Sequence, residues 1–134
     1  MATQLASEAA GGLLREDGAL AVWWITWVEC AVALNRLARE GELDEKTMAE
    51  ARALLDRLAE DWSVIQPVNE VRLLAERLSM RHPLKAADAL QLAAALVWCD
   101  EETEGRDFVC LDERLRRAAS DEGFDILPDE EDGV

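Results

Sequence analysis

Short apolar runs alternate with longer amphipathic segments along most of this chain. The runs with the length and the β-branched or aromatic composition of strands are residues 19–26, 63–68, 107–111 and 124–127. The segments with apolar side chains at helical spacing are residues 26–41, 43–61, 69–80, 83–99 and 112–120. Helices that alternate with short buried strands predict an α/β fold, a three-layer α/β/α sandwich over a parallel sheet.

The helix starts carry signals of their own. Apolar side chains recur at helical spacing over residues 4–15, which predicts one more helix before the first strand. Thr26 and Glu29 have the spacing of a capping box. Asn69 is a residue type preferred as a helix cap, and Pro83 is favoured at a first helical position.

The composition is that of one globular domain. The chain has 134 residues, half of them apolar, and a chain of this size buries about two-thirds of its unfolded surface. We expect a single domain over residues 1–128 and an acidic, disordered tail over residues 129–134. No segment has the roughly 20 uninterrupted apolar residues of a membrane helix, and the N-terminus lacks the pattern of a signal peptide. We therefore expect a cytoplasmic protein without a membrane span.

The net charge of −15 restricts the partners that the protein can bind. Proteins that bind nucleic-acid backbones rely on Lys and Arg to neutralise phosphates, and this chain has 29 acidic residues against 14 basic ones. Any chemistry on a nucleic acid would therefore need the help of cations. The same charge favours a basic protein partner.

Three carboxylates are placed where α/β sheets bind their ligands, at the carboxyl ends of the strands. Glu29 lies in the first helical turn after the first strand, and Asp112 immediately follows the third strand. Asp88 lies in the apolar helical segment between them. An unpaired carboxylate in such a place is costly, so it needs a metal, an arginine or water.

Each of the three also has a structural alternative. Glu29 completes the capping box, and Asp112 is a preferred N-cap for the helix that follows it. Asp88 can lie on a solvated stripe, or it can pair with Arg81 or Lys85. The spacing alone leaves both interpretations open for each residue.

The segments HPLKAADALQLAAAL and FVCLDERLRRAASDEGFDILP resemble the C-terminal half of PIN-domain proteins, especially the VapC-type toxins of toxin–antitoxin pairs. In that family a helix with an Asp-Ala pair precedes a strand that ends in a hydrophobic-x-Asp-x-x-Leu turn. Asp88-Ala89 and Leu111-Asp112-Glu113-Arg114-Leu115 match these two motifs. Upstream, ALAVWWITWVECAVALNRL is similar to the second strand and the glutamate-bearing helix of the family. The resemblance covers about residues 10–128.

The resemblance implies an activity, a metal site and a partner. Glu29, which falls at the position of the family's glutamate, would bind one or two Mg²⁺ or Mn²⁺ ions together with Asp88 and Asp112. The same three residues would be the catalytic residues of an endoribonuclease that hydrolyses RNA phosphodiester bonds. A basic antitoxin protein would be the partner.

The chain departs from the family at its N-terminus. Family members begin with a strand in the middle of the sheet, and the aspartate at the end of that strand is a principal metal ligand. Nothing in MATQLASEAAGG corresponds to it. Glu8 and Asp17 are the nearest acids, and neither has the matching context. The resemblance therefore predicts an N-terminally truncated or variant PIN-like fold that lacks its central strand.

Three explanations fit this departure. The start of the sequence is misassigned or truncated, another subunit completes the sheet, or the fold has adapted to the loss and is catalytically inactive. A missing central strand would leave unpaired backbone groups at two edges, so we expect an obligate homodimer or a larger assembly. The missing aspartate and the acidic charge also support an alternative function. In that alternative the protein is an inactive PIN-like module that captures a basic, antitoxin-type segment.

Overall fold

The computed structural model describes residues 12–16 and 19–129, which form one sheet flanked by helices. The strands are β1 (Leu13–Glu16), β2 (Ala19–Trp23), β3 (Ser63–Ile65), β4 (Asp107–Val109) and β5 (Asp125–Leu127). The helices are α1 (Thr26–Arg39), α2 (Glu45–Ala59), α3 (Asn69–Arg81), α4 (Ala86–Trp98) and α5 (Glu113–Asp121). The strands are arranged in the order β3-β2-β1-β4-β5.

β1 lies in the middle of the sheet and runs opposite to the other four strands. β2 and β3 pair in parallel, and so do β4 and β5. β1 is antiparallel to both of its neighbours, with Leu14 opposite Ala21 of β2 and Phe108 of β4. The sheet is therefore mixed, and the N-terminal region of the same chain supplies its central strand.

The prediction that the central strand is missing is therefore wrong. The helix predicted over residues 4–15 is also wrong where it covers residues 13–15, which belong to β1. The physical reason is backbone pairing, because β2 and β4 would otherwise each leave buried N–H and C=O groups without partners. The other residues of that predicted helix that precede Gly12 lie outside the described part of the chain.

Gly12 shows how closely the start of β1 approaches its neighbours. A Cβ atom at this position would lie 2.5 Å from Cζ and 2.6 Å from Cε1 of Phe108. Real side chains do not come this close to an aromatic ring in a packed interior. Glycine is therefore the residue that lets the chain enter the centre of the sheet here.

The sheet separates two hydrophobic cores, which confirms the three-layer α/β/α sandwich. On one face, Leu14 and Phe108 pack in a core with buried residues of α3, α4 and α5. On the other face, Leu13 and Val22 pack in a core with Leu34 of α1 and with α2. Neighbouring residues of β1 enter different cores because side chains alternate along a strand.

Two of the predicted helix starts are displaced. α4 begins at Ala86 rather than at Pro83, and His82 before the proline is extended, with φ −132° and ψ 139°. Proline disfavours the helical region for the residue that precedes it, which explains why α3 ends before His82. Lys85, with φ −70° and ψ 158°, is also extended and forms the N-cap of α4. The N-cap of α3 is Val68, so Asn69 is the first helical residue and not the cap.

Self-association, a disordered C-terminal tail and the absence of a membrane span were also predicted. Self-association stays a prediction. The argument from unpaired strand edges no longer supports it, because β1 pairs with a strand on each side. Of the predicted tail over residues 129–134, the described part of the chain includes only Asp129, which is exposed. Within residues 12–16 and 19–129, no helix has the length and apolar character needed to cross a membrane.

Replacing Leu14 with alanine should reveal how much the fold depends on β1. Leu14 is 1 % exposed, so the cavity left by Leu14→Ala should lower the free energy of unfolding by about 2–5 kcal/mol. Chemical denaturation followed by circular dichroism measures this change. Met80, which is 86 % exposed, provides the control, and Met80→Ala should stay within about 0.5 kcal/mol of the natural protein. Equal stability of the two variants would contradict a central role for β1.

Candidate functional site

The candidate site lies at the edge of the sheet where β2 and β4 end and β1 begins. Because β1 is reversed, its first residue Leu13 lies opposite Val109, the last residue of β4. α1 follows β2 closely, which places Glu29 in the first helical turn. Asp112 is the N-cap of α5, and Asp88 lies in the first turn of α4. All three predicted carboxylates are therefore carried by the amino ends of helices.

Asp88 and Asp112 meet in a surface groove of about 430 Å³. Residues at the starts of α4 and α5 form its walls, which are Pro83, Lys85, Asp88, Asp112, Glu113 and Arg114. Glu29 does not line this groove. The structure thus brings two of the three predicted side chains together and leaves the third beside them.

Asp88 is in an unfavourable environment for a charged carboxylate. Burial raises its pKa above the ordinary value, and the nearby negative charge of Asp112 raises it further, while Lys85 lowers it. Arg81, one of the two partners considered from the sequence, instead forms an ion pair with Glu122 at 3.5 Å. The groove therefore holds two carboxylates whose mutual repulsion a cation would relieve.

Asp112 also has the structural role expected from the sequence. Its Oδ1 accepts a hydrogen bond from the backbone N–H of Leu115 at 3.0 Å, which caps α5. This bond orients the carboxylate at the rim of the groove. Because the cap uses Oδ1, the second carboxylate oxygen can still serve as a ligand.

Glu29 does not form the predicted capping box. The N-cap of α1 is Ile25, which has helical backbone angles and makes no side-chain cap. One oxygen of Glu29, Oε1, instead accepts a hydrogen bond from Nε2 of Gln91 at 3.1 Å. Burial raises the pKa of Glu29, the hydrogen bond from Gln91 lowers it in part, and the charge of Asp88 raises it. Glu29 is thus an electrostatic neighbour of Asp88 that is held by an amide from α4.

Gln91 connects the site to the central strand. Its Oε1 accepts a hydrogen bond from the backbone N–H of Gly12 at 2.8 Å, and its side chain is buried. The same amide therefore binds the residue before β1 with its oxygen and Glu29 with its nitrogen. The sequence carried one signal for this role, a primary amide in an otherwise apolar helix, because a buried amide needs hydrogen-bond partners.

Comparison with known protein families identifies the fold. Residues 3–121 match the family model described as PIN domain. This chain belongs to the PIN domain family. A search of curated proteins and a search of solved structures each gave no significant match. The resemblance stated from the motifs around Asp88 and Asp112 is thereby confirmed at the level of the family, and with it a nuclease-type fold.

PIN domains generally depend on divalent metal ions, so the donor set of this chain has to be compared with that requirement. Among the residues that the structure describes, no three Asp, Glu, His or Cys side chains converge on one ion position. Mg²⁺, however, is commonly held by one or two carboxylates, with water and substrate phosphate as its other ligands. Asp88 and Asp112 fit such a two-carboxylate site, and burial together with the negative charge of Asp112 raises the pKa of Asp88.

Removing the amide of Gln91 should destabilise this PIN domain. Gln91→Leu keeps much of the volume but leaves the buried N–H of Gly12 without its acceptor, at a cost of about 1–3 kcal/mol in the free energy of unfolding. Denaturant titration gives the value, and Gln66→Leu, at an exposed glutamine, is the matched control. If Gln91→Leu were as stable as this control, the hydrogen bond to Gly12 would make no measurable contribution to the free energy of unfolding.

The raised pKa values predict an effect of pH with a definite sign. The folded protein holds the protons of Asp88 and Glu29 more tightly than the unfolded chain does. These two groups therefore lower stability as pH rises from about 4, the ordinary carboxyl value, through their raised folded-state values. Asp88→Asn should have a higher melting temperature than the natural protein at pH 7 in EDTA, and the difference should shrink towards pH 4.

Melting curves between these two pH values measure that difference. Asp121→Asn removes one exposed carboxylate at the end of α5 and serves as the control, with a melting temperature expected to follow that of the natural protein. A lower melting temperature for Asp88→Asn than for Asp121→Asn at pH 7 would show that Asp88 stabilises the fold, contrary to the expectation.

Proposed function

We propose that this protein is an endoribonuclease that hydrolyses RNA phosphodiester bonds with Mg²⁺ or Mn²⁺. The observation that carries the proposal is the meeting of Asp88 and Asp112 in an open groove, where burial and mutual repulsion raise the pKa of Asp88. A partly buried carboxylate with a perturbed pKa, beside a second carboxylate in a groove, is a frequent feature of functional sites. The PIN domain match supports a nuclease-type chemistry for this pair.

The side chains have distinct roles in this proposal. Asp88 and Asp112 would hold the ion between the amino ends of α4 and α5, with the cap to Leu115 fixing the orientation of Asp112. Glu29 is the third candidate ligand, because the charge of Asp88 acts on it, although Gln91 binds one of its oxygens. A bound ion supplies Lewis-acid stabilisation of the charge on the scissile phosphate and activates water for attack.

Metal binding by this site should be weak. The reversed β1 brings the backbone of Gly12 to the site, and the contact with Phe108 leaves no room there for the side chain of an aspartate. Two carboxylates would then be the main protein ligands of the ion, and water and RNA phosphate would occupy its other coordination positions. We therefore expect activity at millimolar rather than micromolar concentrations of metal, as an order-of-magnitude estimate.

The geometry at Gly12 also supports a second candidate, a catalytically inactive module that binds a basic antitoxin-type segment. In this case Asp88 and Asp112 would accept hydrogen bonds from an arginine of the partner instead of binding a metal. The observations that favour it are the commitment of Glu29 to Gln91 and the net charge of −15. Both candidates use the same groove, so one set of variants distinguishes them.

RNA cleavage with and without metal tests the proposal. We expect the natural protein to cleave a mixed single-stranded RNA in Mg²⁺ or Mn²⁺ but not in EDTA. Asp88→Asn should lose at least tenfold in rate, as an order-of-magnitude estimate for one lost metal ligand. Asp121→Asn, purified in the same way, should retain the activity. A loss confined to Asp88→Asn then excludes a contaminating nuclease.

A negative result has a defined meaning. If the natural protein, shown to be folded by circular dichroism, cleaves no faster than Asp88→Asn, the hydrolase proposal is wrong. Binding of an oligoarginine peptide that weakens in both Asp88→Asn and Asp112→Asn would then favour the binding module.

A further inference from the structure

Two basic side chains line the groove that holds Asp88 and Asp112. Lys85 comes from the start of α4, and Arg114 comes from the first turn of α5. Both are exposed, and neither forms an ion pair with any residue in the described ranges. Other exposed basic residues of the described ranges, such as Arg36 and Lys46, also form no ion pair, but of the unpaired ones Lys85 and Arg114 are those that line this groove.

The other charges around the groove have partners. Glu113, the third acid of the lining, lies 3.8 Å from Arg117. Arg81, just before the groove, pairs with Glu122. Arg116 donates to the carbonyl oxygens of Cys110 and Pro128. Once a cation neutralises Asp88 and Asp112, the positive charges of Lys85 and Arg114 therefore remain available to a ligand.

We propose that Lys85 and Arg114 bind backbone phosphates of a single-stranded RNA that crosses the groove, next to the phosphate at Asp88 and Asp112. This inference rests on the proposed function, since it takes RNA as the ligand. It adds two phosphate contacts from different helices, on the α4 wall and the α5 wall. A strand held at two points beside the carboxylates passes through the site, which matches cleavage within a chain.

The two side chains are suited to different parts of this task. Arg114 carries a planar guanidinium that can bind a phosphate through two parallel hydrogen bonds. Lys85 acts as a compact positive charge on the same wall as Asp88, three residues before it. Its charge lowers the pKa of Asp88, so it acts electrostatically on the carboxylate site. Together they place two positive charges beside Asp88 and Asp112 in the groove.

The sign of the charge separates this ligand from a basic peptide. Removal of Lys85 and Arg114 weakens the attraction for a polyanion and strengthens the attraction for a polycation. The same double variant should therefore change the affinities for RNA and for an arginine-rich peptide in opposite directions. A role in packing alone would change neither, because both side chains are exposed.

The experiment measures RNA binding with Ca²⁺ in place of Mg²⁺ or Mn²⁺, because Ca²⁺ also binds carboxylate oxygens and so neutralises Asp88 and Asp112 without the ions of the proposed cleavage reaction. The probe is a fluorescein-labelled single-stranded oligouridine, titrated with the full chain at several salt concentrations and followed by fluorescence anisotropy. The test variant is Lys85→Gln/Arg114→Gln. The control is Lys46→Gln/Arg36→Gln, which removes the same charge from two exposed helix positions outside the groove. Circular dichroism establishes that each variant is folded.

We expect the test variant to bind oligouridine more weakly than the control does. Each lost phosphate contact should reduce the slope of log affinity against log salt by about 0.7, so the double variant should lose about 1.4. An oligoarginine peptide should bind the test variant more tightly than the control variant.

Two results would overturn the inference: equal salt slopes for the test and control variants, or no binding of oligouridine by the natural protein at low salt. Failure of the hydrolase proposal gives a different pattern. In that case the salt slope still depends on Lys85 and Arg114, while the RNA stays intact in the presence of metal.

Discussion

The pairing of β1 with both β2 and β4 is the interaction on which the rest of the structure depends. Leu13 and Leu14 enter the two cores from this strand, and each is 1 % exposed. Without it, the sheet would separate into a β3-β2 pair and a β4-β5 pair with open edges between them. A short strand of four residues therefore joins both halves of the sheet and both helical layers.

The direction of β1 has consequences for the site. A reversed central strand presents its amino end, and the backbone of Gly12, to the edge where β2 and β4 end. Gln91 accepts a hydrogen bond from the backbone N–H of Gly12 and donates one to Glu29. One buried amide therefore fixes both the start of β1 and the orientation of the glutamate. The same geometry leaves Glu29 outside the open groove, which Asp88, Asp112 and Glu113 line. The reversed strand thus decides which groups reach this edge of the sheet, while the three layers of the fold are kept.

Charge is distributed unevenly between the groove and the rest of the surface. The chain as a whole repels nucleic acids, with a net charge of −15. Within the groove, however, Lys85 and Arg114 lie beside two carboxylates that a metal ion would neutralise. An occupied metal site would therefore change the groove from an acidic to a basic surface, which couples metal binding to binding of a polyanion.

The sequence by itself determined the α/β alternation, most helix positions and the pair Asp88 and Asp112, because apolar periodicity and short motifs are local properties of the chain. The strand identity of β1 was decided only in the tertiary structure. Two adjacent leucines fit a helix as well as a strand, and the choice depends on backbone partners supplied by β2 and β4. The partner of Glu29 was likewise decided by packing. Gln91 is 62 residues from Glu29 and 79 residues from Gly12 in the sequence. Hydrogen bonds between such distant residues form only once the sheet and α4 have come together.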